Sequence, residues 1–226
     1  MSQTEVLFDV NQAGAQNLSQ CSGLIFSFLP AHGGSKATEM IRGICRTVAK
    51  DLELRVLLAQ FDAPDAESGR CSVWRTADAP RRLDGHTWGA FVASGECGDE
   101  LDAREVHPRQ LRAVLEYAAS HYHLVCADLT GAKEVHTMEV LRSSESIFVV
   151  SGSGAGSLEI VREKAAWLRS IDLADRCALL LRTEAGGASP AQAEARTGLR
   201  VAGLIESGPD LRHLAQWLGS GDEEAS

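Results

Sequence analysis

Short apolar segments occur repeatedly along this 226-residue chain, and they constrain its fold more than any other feature. Most of them, such as "GLIFSFL" (23–29) and "HLVCADL" (123–129), contain few polar residues. Strands of a parallel sheet that is covered on both faces have this composition, whereas half-exposed strands alternate apolar and polar residues. The predicted strands are 23–29, 54–61, 88–94, 123–129, 146–152, 177–183 and 201–205.

Amphipathic segments separate these apolar runs. Pro108 suits the first turn of one predicted helix, and Ser189 followed by Pro190 suits the start of another. The predicted helices are 38–50, 107–121, 156–170, 190–197 and 209–219. Alternation of strands and helices predicts one doubly wound α/β domain, with helices on both faces of a mainly parallel sheet.

The remaining segments set the expected domain limits. We expect an N-terminal extension at 1–21, a single domain at 22–219 and an acidic tail at 220–226. Residues 62–86 are polar and rich in turn-forming residues, which predicts a long surface loop. We expect this loop to act as a lid or to contact a partner.

Bulk composition limits the kinds of partner and the cellular compartment that we expect. The formal net charge of −9 argues against a nucleic-acid partner, because phosphate neutralisation needs clustered Lys and Arg. No apolar run approaches the roughly 20 residues of a membrane-spanning helix. The six cysteines form no C-x-x-C pair, which favours thiols in a reducing compartment over a zinc or disulfide framework. We therefore expect a cytoplasmic protein, recruited to the inner membrane only through a partner.

The segment "PAHGGSKA" (30–37), directly after the first predicted strand, has the frame of a phosphate-binding loop. Gly33 and Gly34 allow successive backbone N–H groups to curl around phosphate oxygens, and Lys36 stands where a lysine reaches the terminal phosphates. The predicted nucleotide-binding residues are His32, Gly33, Gly34, Ser35, Lys36, Ala37 and Thr38. The alternative is a glycine-rich turn with a solvated lysine.

Three residues depart from the G-x-x-x-x-G-K-[ST] pattern. Pro30 replaces the first glycine, Ser35 replaces the second, and Ala37 replaces the hydroxyl that binds magnesium. Thr38 carries a hydroxyl one position later and is the substitute that the sequence offers.

Two further segments, "LRVLLAQFDAP" (54–64) and "YHLVCADLTG" (122–131), resemble strands of the MinD/ParA class of P-loop ATPases. That class includes the CpaE/TadZ pilus-assembly ATPases and the cytoplasmic tyrosine autokinases of polysaccharide export. Asp62 matches the second acidic residue of the class's "DxD" pair, and Gln60 stands in place of the first. Asp128 matches the Walker B aspartate, but "LTG" follows it where a proline is usual.

The resemblance implies a set of cofactors and residue roles. It implies ATP or ADP with Mg²⁺, and a homodimer formed across the nucleotide face. The implied catalytic residues are Lys36, Asp62 and Asp128, and the implied metal ligands are Thr38, Asp62 and Asp128. Leu181 or Arg182 occupies the place of the base-contacting asparagine, which weakens the expectation of adenine recognition.

The departures favour a protein that hydrolyses ATP weakly or not at all, because Ala37 removes a metal ligand and Gln60 removes a negative charge. We therefore expect a regulatory or scaffolding component of cell-envelope machinery, for a pilus, secretion or exopolysaccharide, with protein partners in that complex. One alternative is an active ATPase or autokinase, although Tyr117 and Tyr122 are the only tyrosines and the tail has none. Another alternative is a small-molecule enzyme that reuses the cleft.

Two other sequence patterns, a glycine run and a group of histidines, are interpreted as structural features and not as binding sites. The glycines of 149–160 do not have the spacing of a dinucleotide fingerprint and predict a tight turn between a strand and a helix. His121 and His123 could form a metal pair with each other on one strand face, with His136 farther along. No cysteine or carboxylate stands at ligand spacing, so solvated edge histidines are favoured.

Overall fold

A computed structural model of the chain describes residues 23–32, 35–51, 54–61, 92–95, 98–102 and 106–205. Its strands form one eight-stranded sheet in the order β3-β4-β2-β5-β1-β6-β7-β8. Their bounds are Leu24–Pro30 (β1), Val56–Gln60 (β2), Val92–Gly95 (β3), Gly98–Asp102 (β4), Leu124–Asp128 (β5), Ser146–Gly152 (β6), Cys177–Arg182 (β7) and Val201–Ile205 (β8). All neighbouring strands pair in parallel except β3, which pairs antiparallel with β4.

Five helices lie within the described part of the chain. They are Ser35–Asp51 (α1), Pro108–Ala119 (α2), Glu134–Ser143 (α3), Ala155–Ser170 (α4) and Pro190–Thr197 (α5), with a short 3-10 helix at Ala174–Arg176. None of the helices in this part is long and apolar enough to cross a membrane.

The sheet separates two apolar cores. Helix α1 covers one face, where Ile41 and Ile44 pack with the alternate residues of β1, β2 and β5. Phe28 and Phe148 stack in this core with ring centroids 5.4 Å apart. Helices α2 to α5 cover the other face. Because successive strand residues point to opposite faces, each strand supplies both cores, which explains the near-continuous apolar runs.

Strand β1 lies at the centre of the sheet, between β5 and β6. The chain continues to β2 on one side and to β7 and β8 on the other, so the strand order reverses at β1. In such sheets ligands bind beside the carboxyl ends of the strands at this reversal. The loop that follows β1 therefore occupies the favoured position for a ligand.

The predicted doubly wound, mainly parallel sheet is confirmed, with differences at one edge. The apolar run 88–94 overlaps β3, and the prediction missed β4, whose acidic sequence "GDELD" has low strand propensity. Helix α3 was also missed, because its ten residues include β-branched Val135 and Thr137. The expected helix at 209–219, the loop at 62–86 and the domain limits lie outside the described residues and stay predictions.

Helix starts were predicted more successfully. Ser189 caps α5 in a reciprocal capping box with Gln192, and Pro190 begins the helix. His107 precedes Pro108 at the start of α2, and its side chain accepts a hydrogen bond from the Arg109 N–H. Helix α1 begins at Ser35, three residues before the predicted start.

Gly23 is required where the chain enters β1, and this can be tested. Its N–H donates to the Ala119 carbonyl at 2.7 Å, and an added Cβ would collide with the backbone carbonyls of Ala119 and Tyr122. Backbone atoms cannot move aside, so Gly23→Ala should destabilise the protein by about 1–3 kcal/mol in urea unfolding.

Gly156 provides the matched control. It lies in the exposed first turn of α4, and an added Cβ there meets nothing within 4 Å. Gly156→Ala should leave the free energy of unfolding unchanged or raise it by up to about 1 kcal/mol. Equal unfolding free energies for the two variants would contradict the close approach at Gly23.

Candidate functional site

The candidate site begins where β1 passes into α1. The Ala31 N–H donates to the Val150 carbonyl at 2.8 Å, which fixes the chain just beyond the sheet, and the next residue, His32, is exposed. Ser35 and Lys36 form the first turn of α1. Gly33 and Gly34, which were predicted to bind phosphate, lie outside the described residues.

Asp128, the residue that matches a Walker B aspartate, ends β5 beside this loop. Its side chain is 1% exposed, and its Oδ1 accepts a hydrogen bond from the Thr130 N–H at 2.9 Å. The Leu129 N–H donates to the Phe28 carbonyl at 3.0 Å and ties the turn to the central strand. Asp128 is therefore held rigidly at the carboxyl edge of the sheet.

Gln60 ends β2 at the same level of the sheet. It lies in register with Asp128, which in turn lies in register with Phe28. Along their strands, Gln60, Asp128 and Phe28 alternate in step with the core residues beneath α1. They therefore lie on the α1 face of the sheet. The ends of β1, β2 and β5 thus meet under one helix. Asp62, the second acidic residue of the predicted site, lies outside the described residues.

Arg42 belongs to the region under α1 where β1, β2 and β5 end, which we call the corner under α1. Arg42 was not identified as a site residue from the sequence. Its Nη2 donates to Gln60 Oε1 at 3.2 Å, so a cation of α1 lies against the end of β2. Arg42 stands four residues after Thr38, and residues at this spacing share one face of a helix. The spacing is visible in the sequence, but the pairing with Gln60 depends on where α1 packs.

Three buried hydrogen-bond donors on α1 and at the end of β2 lack acceptors among the described residues. They are Oγ1 of Thr38, Nε of Arg42 and Nε2 of Gln60. Buried polar atoms are nearly always paired in folded proteins, so such a cluster calls for an unseen partner. All three groups can donate hydrogen bonds, and a negatively charged ligand would accept from all of them.

This corner is a poor fit for the divalent cation that the resemblance implies. Magnesium prefers oxygen ligands, above all carboxylates. Ala37 offers no ligand atom, and the Gln60 carbonyl oxygen already accepts from Arg42. Only the Thr38 hydroxyl and the Asp128 carboxylate are suitable among the described side chains. The guanidinium of Arg42 adds a positive charge where a metal ion would need a negative one.

Comparisons with known proteins add evidence on the fold. No protein-family model matches the chain, and no curated protein matches it in sequence. Solved structures do match. The ParA family ATPase from Chlorobium tepidum TLS has a TM-score of 0.62 at 15% identity, with 88% of this chain and 90% of that one covered. The chain has the MinD/ParA fold.

Two further structures agree with this assignment. A chain of the MinC:MinD cell division protein complex from Aquifex aeolicus has a TM-score of 0.62 at 12% identity, with 85% of each chain covered. The septum site-determining protein MinD complexed with Mg-ADP, from Pyrococcus horikoshii OT3, has a TM-score of 0.59 at 16% identity, with 87% of this chain and 86% of that one covered. Structural similarity at identities this low establishes the P-loop NTPase fold alone. The activity has to be argued from the side chains of the site.

The glycine-rich turn after β6 borders the same edge of this MinD/ParA fold. The Glu184 N–H donates to Ser153 Oγ at 2.9 Å, and the Glu184 carboxylate lies over Gly152 and Gly154, where an added Cβ would collide with it. Only two residues separate β6 from α4, in agreement with the predicted tight turn. Of the two candidates for a base-contacting residue, Leu181 is fully buried, whereas Arg182 ends β7 and pairs with Glu184 at 3.0 Å.

A cavity of about 630 Å³ lies on the opposite face of the sheet from α1. The turn at 129–132 forms one wall, and Ile160 and Trp167 of α4 line another. Burial lowers the pKa of Lys164, which also lines it. The cavity shares the turn after Asp128 with the candidate site but lies outside the corner under α1.

The three histidines have structural partners. His136 is 5% exposed, packs against Phe61 and lies with Nε2 3.2 Å from the Val106 carbonyl, so the expectation of a solvated histidine was wrong there. His121 stacks on Tyr117. The part of the chain that the structure describes contains no group of three metal-ligating side chains.

His123 gives a test of the electrostatics at the opposite end of β5. Its Nδ1 accepts from the Arg55 N–H at 2.9 Å. Burial lowers the pKa of His123 below its usual 6.5, and the positive charge of Arg55 lowers it further. The native protein thus binds this proton less readily than the unfolded chain does. The stability contributed by neutral His123 is fully present above pH 6.5 and declines as the pH falls towards the folded pKa.

An NMR titration of His123 should therefore give a midpoint below 6.5. Arg55→Gln keeps the backbone donor and removes the charge, so it should raise the midpoint without restoring the full value. A midpoint at or above 6.5 in the native protein would contradict the buried, neutral imidazole.

Proposed function

We propose that this protein is a nucleotide-binding regulatory or scaffolding component of cell-envelope machinery, with little or no ATP hydrolysis. The observation that supports weak or absent hydrolysis is the corner formed by Arg42, Gln60 and Asp128. A hydrolase of this fold class needs a metal ion and a carboxylate to orient the attacking group. Here the residue at the end of β2, Gln60, is a neutral amide bonded to Arg42, and Asp128 lies in register with it.

Retained nucleotide binding has separate support. The loop after β1 lies at the reversal of strand order, which is the ligand position of doubly wound sheets. It carries Gly33, Gly34 and Lys36, and it leads into the 17-residue helix α1, whose N-terminus favours phosphate. We propose the residues His32 to Thr38 as the phosphate-binding segment, with Asp62 and Asp128 as its acidic neighbours.

The proposed role in envelope machinery rests on the earlier resemblance to CpaE/TadZ-like and autokinase domains. One structural neighbour, the MinC:MinD complex, is a protein of this fold bound to a protein partner. We propose that this chain likewise acts through protein partners and forms a homodimer across its nucleotide face. The net charge of −9 supports a protein partner over a nucleic acid.

Nucleotide binding with negligible turnover is the first testable consequence. ATP and ADP, at ten times their dissociation constants, should stabilise the protein by roughly 1.4 kcal/mol, a rise of roughly 3–6 °C in unfolding temperature. Lys36→Ala should abolish this rise, because it removes the cation that reaches the terminal phosphates. Released phosphate, measured with the same samples, should stay at the level of the buffer blank.

Other results would change the proposal. Micromolar ATP affinity with clear turnover would identify an active ATPase. Stabilisation by a non-nucleotide metabolite, with no response to ATP or ADP, would favour a small-molecule enzyme. The envelope role needs a cellular assay. Deletion of the gene should impair pilus formation, secretion or exopolysaccharide export, and normal function of all three would contradict that role.

A further inference from the structure

The corner under α1 has an unusual balance of charge for a nucleotide site. Arg42 is a permanent cation, and its side chain is partly buried. Its Nη2 bond to Gln60 is to a neutral amide, so this contact leaves the charge uncompensated. Lys36 is a second basic residue, in the first turn of the same helix. Asp128 is the one acidic residue among the described ends of β1, β2 and β5, and Asp102, at the end of β4, lies in register with Gln60.

Arg42 contacts the end of β2, two strands away from the end of β1, where the proposed phosphate-binding segment begins. Neighbouring strands lie about 4.8 Å apart, so Gln60 stands about one strand spacing from Asp128 and about two from Phe28 at the end of β1. Helix α1 packs on β2 and β5. Thr38, one helical turn closer to the loop, continues the same face.

The buried donors in this corner indicate what kind of ligand would complete it. The Arg42 Nε–H, the Gln60 Nε2 amide and the Thr38 hydroxyl have no acceptor among the described residues. A cation would leave these donors unsatisfied and would repel Arg42. A phosphate group has several oxygens that accept hydrogen bonds, and a guanidinium fits two of them in one plane.

We propose that Arg42 takes the place of the divalent cation, so that this site binds the terminal phosphates of a nucleotide without magnesium. The inference rests on the proposed nucleotide binding. It adds that the negative charge of the terminal phosphates is balanced by Arg42 instead of a metal ion. Gln60 has a positioning role, since its carbonyl oxygen holds the guanidinium at the end of β2. The same replacement would account for the proposed weak hydrolysis, because no metal ion and no carboxylate at Gln60 would orient the attacking group.

Isothermal titration with ATP, in excess EDTA and in excess magnesium, tests this inference directly. The native protein should bind ATP in EDTA at least as tightly as in magnesium. Arg42→Gln should weaken binding in EDTA by roughly tenfold or more, which is the effect expected from losing a hydrogen bond to a charged group. Thermal unfolding of each protein without ligand should be recorded first, to separate affinity from stability.

Arg46→Gln is the matched control. Arg46 lies one turn after Arg42 on α1 and is exposed, so this variant makes the same change in net charge away from the corner. Its ATP affinity should equal that of the native protein in both buffers. An equal loss of affinity in both variants would show a general charge effect and would overturn the role of Arg42.

The converse variant Arg42→Ala/Gln60→Asp removes the cation and adds a carboxylate. Its ATP binding should become dependent on magnesium, because the corner then offers an anionic oxygen to a metal ion. Continued binding in EDTA, with no gain from magnesium, would contradict the proposed exchange of roles.

The remaining outcomes separate this inference from the function on which it rests. If the native protein binds ATP only with magnesium, nucleotide binding stands and the metal-free site is wrong. If it binds ATP in neither buffer, both proposals fail. If Arg42→Gln lowers the unfolding temperature but leaves the affinity unchanged, the Arg42–Gln60 contact only joins α1 to β2 and the inference is overturned.

Discussion

The parallel pairing of β1 with β5 on one side and β6 on the other is the interaction on which the rest of the structure depends. It places the first strand at the centre of the sheet and the strand-order reversal at its carboxyl end. The same pairing brings Asp128 level with Phe28, and the next pair brings Gln60 level with Asp128. This register brings Asp128 to the strand end beside the one from which the loop after β1 leaves the sheet.

The two faces of the sheet have different consequences for function. Helices α2 to α5 cover one face with an extensive apolar core, and the cavity beside Trp167 opens there. The other face is covered by α1, which packs apolar side chains near its middle and places Thr38 and Arg42 towards the strand ends. Because one rigid helix carries both its core residues and its polar residues, substitutions at Arg42 affect packing and charge together.

A shared fold does not fix the chemistry of its site. The solved structures that match this chain include a MinD complexed with Mg-ADP, and the strand ends that would face such a ligand are present here. The side chains at those ends depart from the sequence pattern of P-loop ATPases. Ala37, Gln60 and Arg42 change the balance from metal-ligating oxygens towards hydrogen-bond donors, and this difference carries the functional proposals.

The sequence by itself determined the parallel sheet, the capped start of α5 and the loop frame at Lys36, because burial on both faces and local capping are recorded in neighbouring residues. It did not reveal β4, whose acidic strand exists only through pairing with β2 and β3. It also did not reveal the burial of His136 or the contact between Arg42 and Gln60. The last two contacts and the pairing of β4 with β2 join residues 18 or more positions apart, so only the tertiary packing decided them.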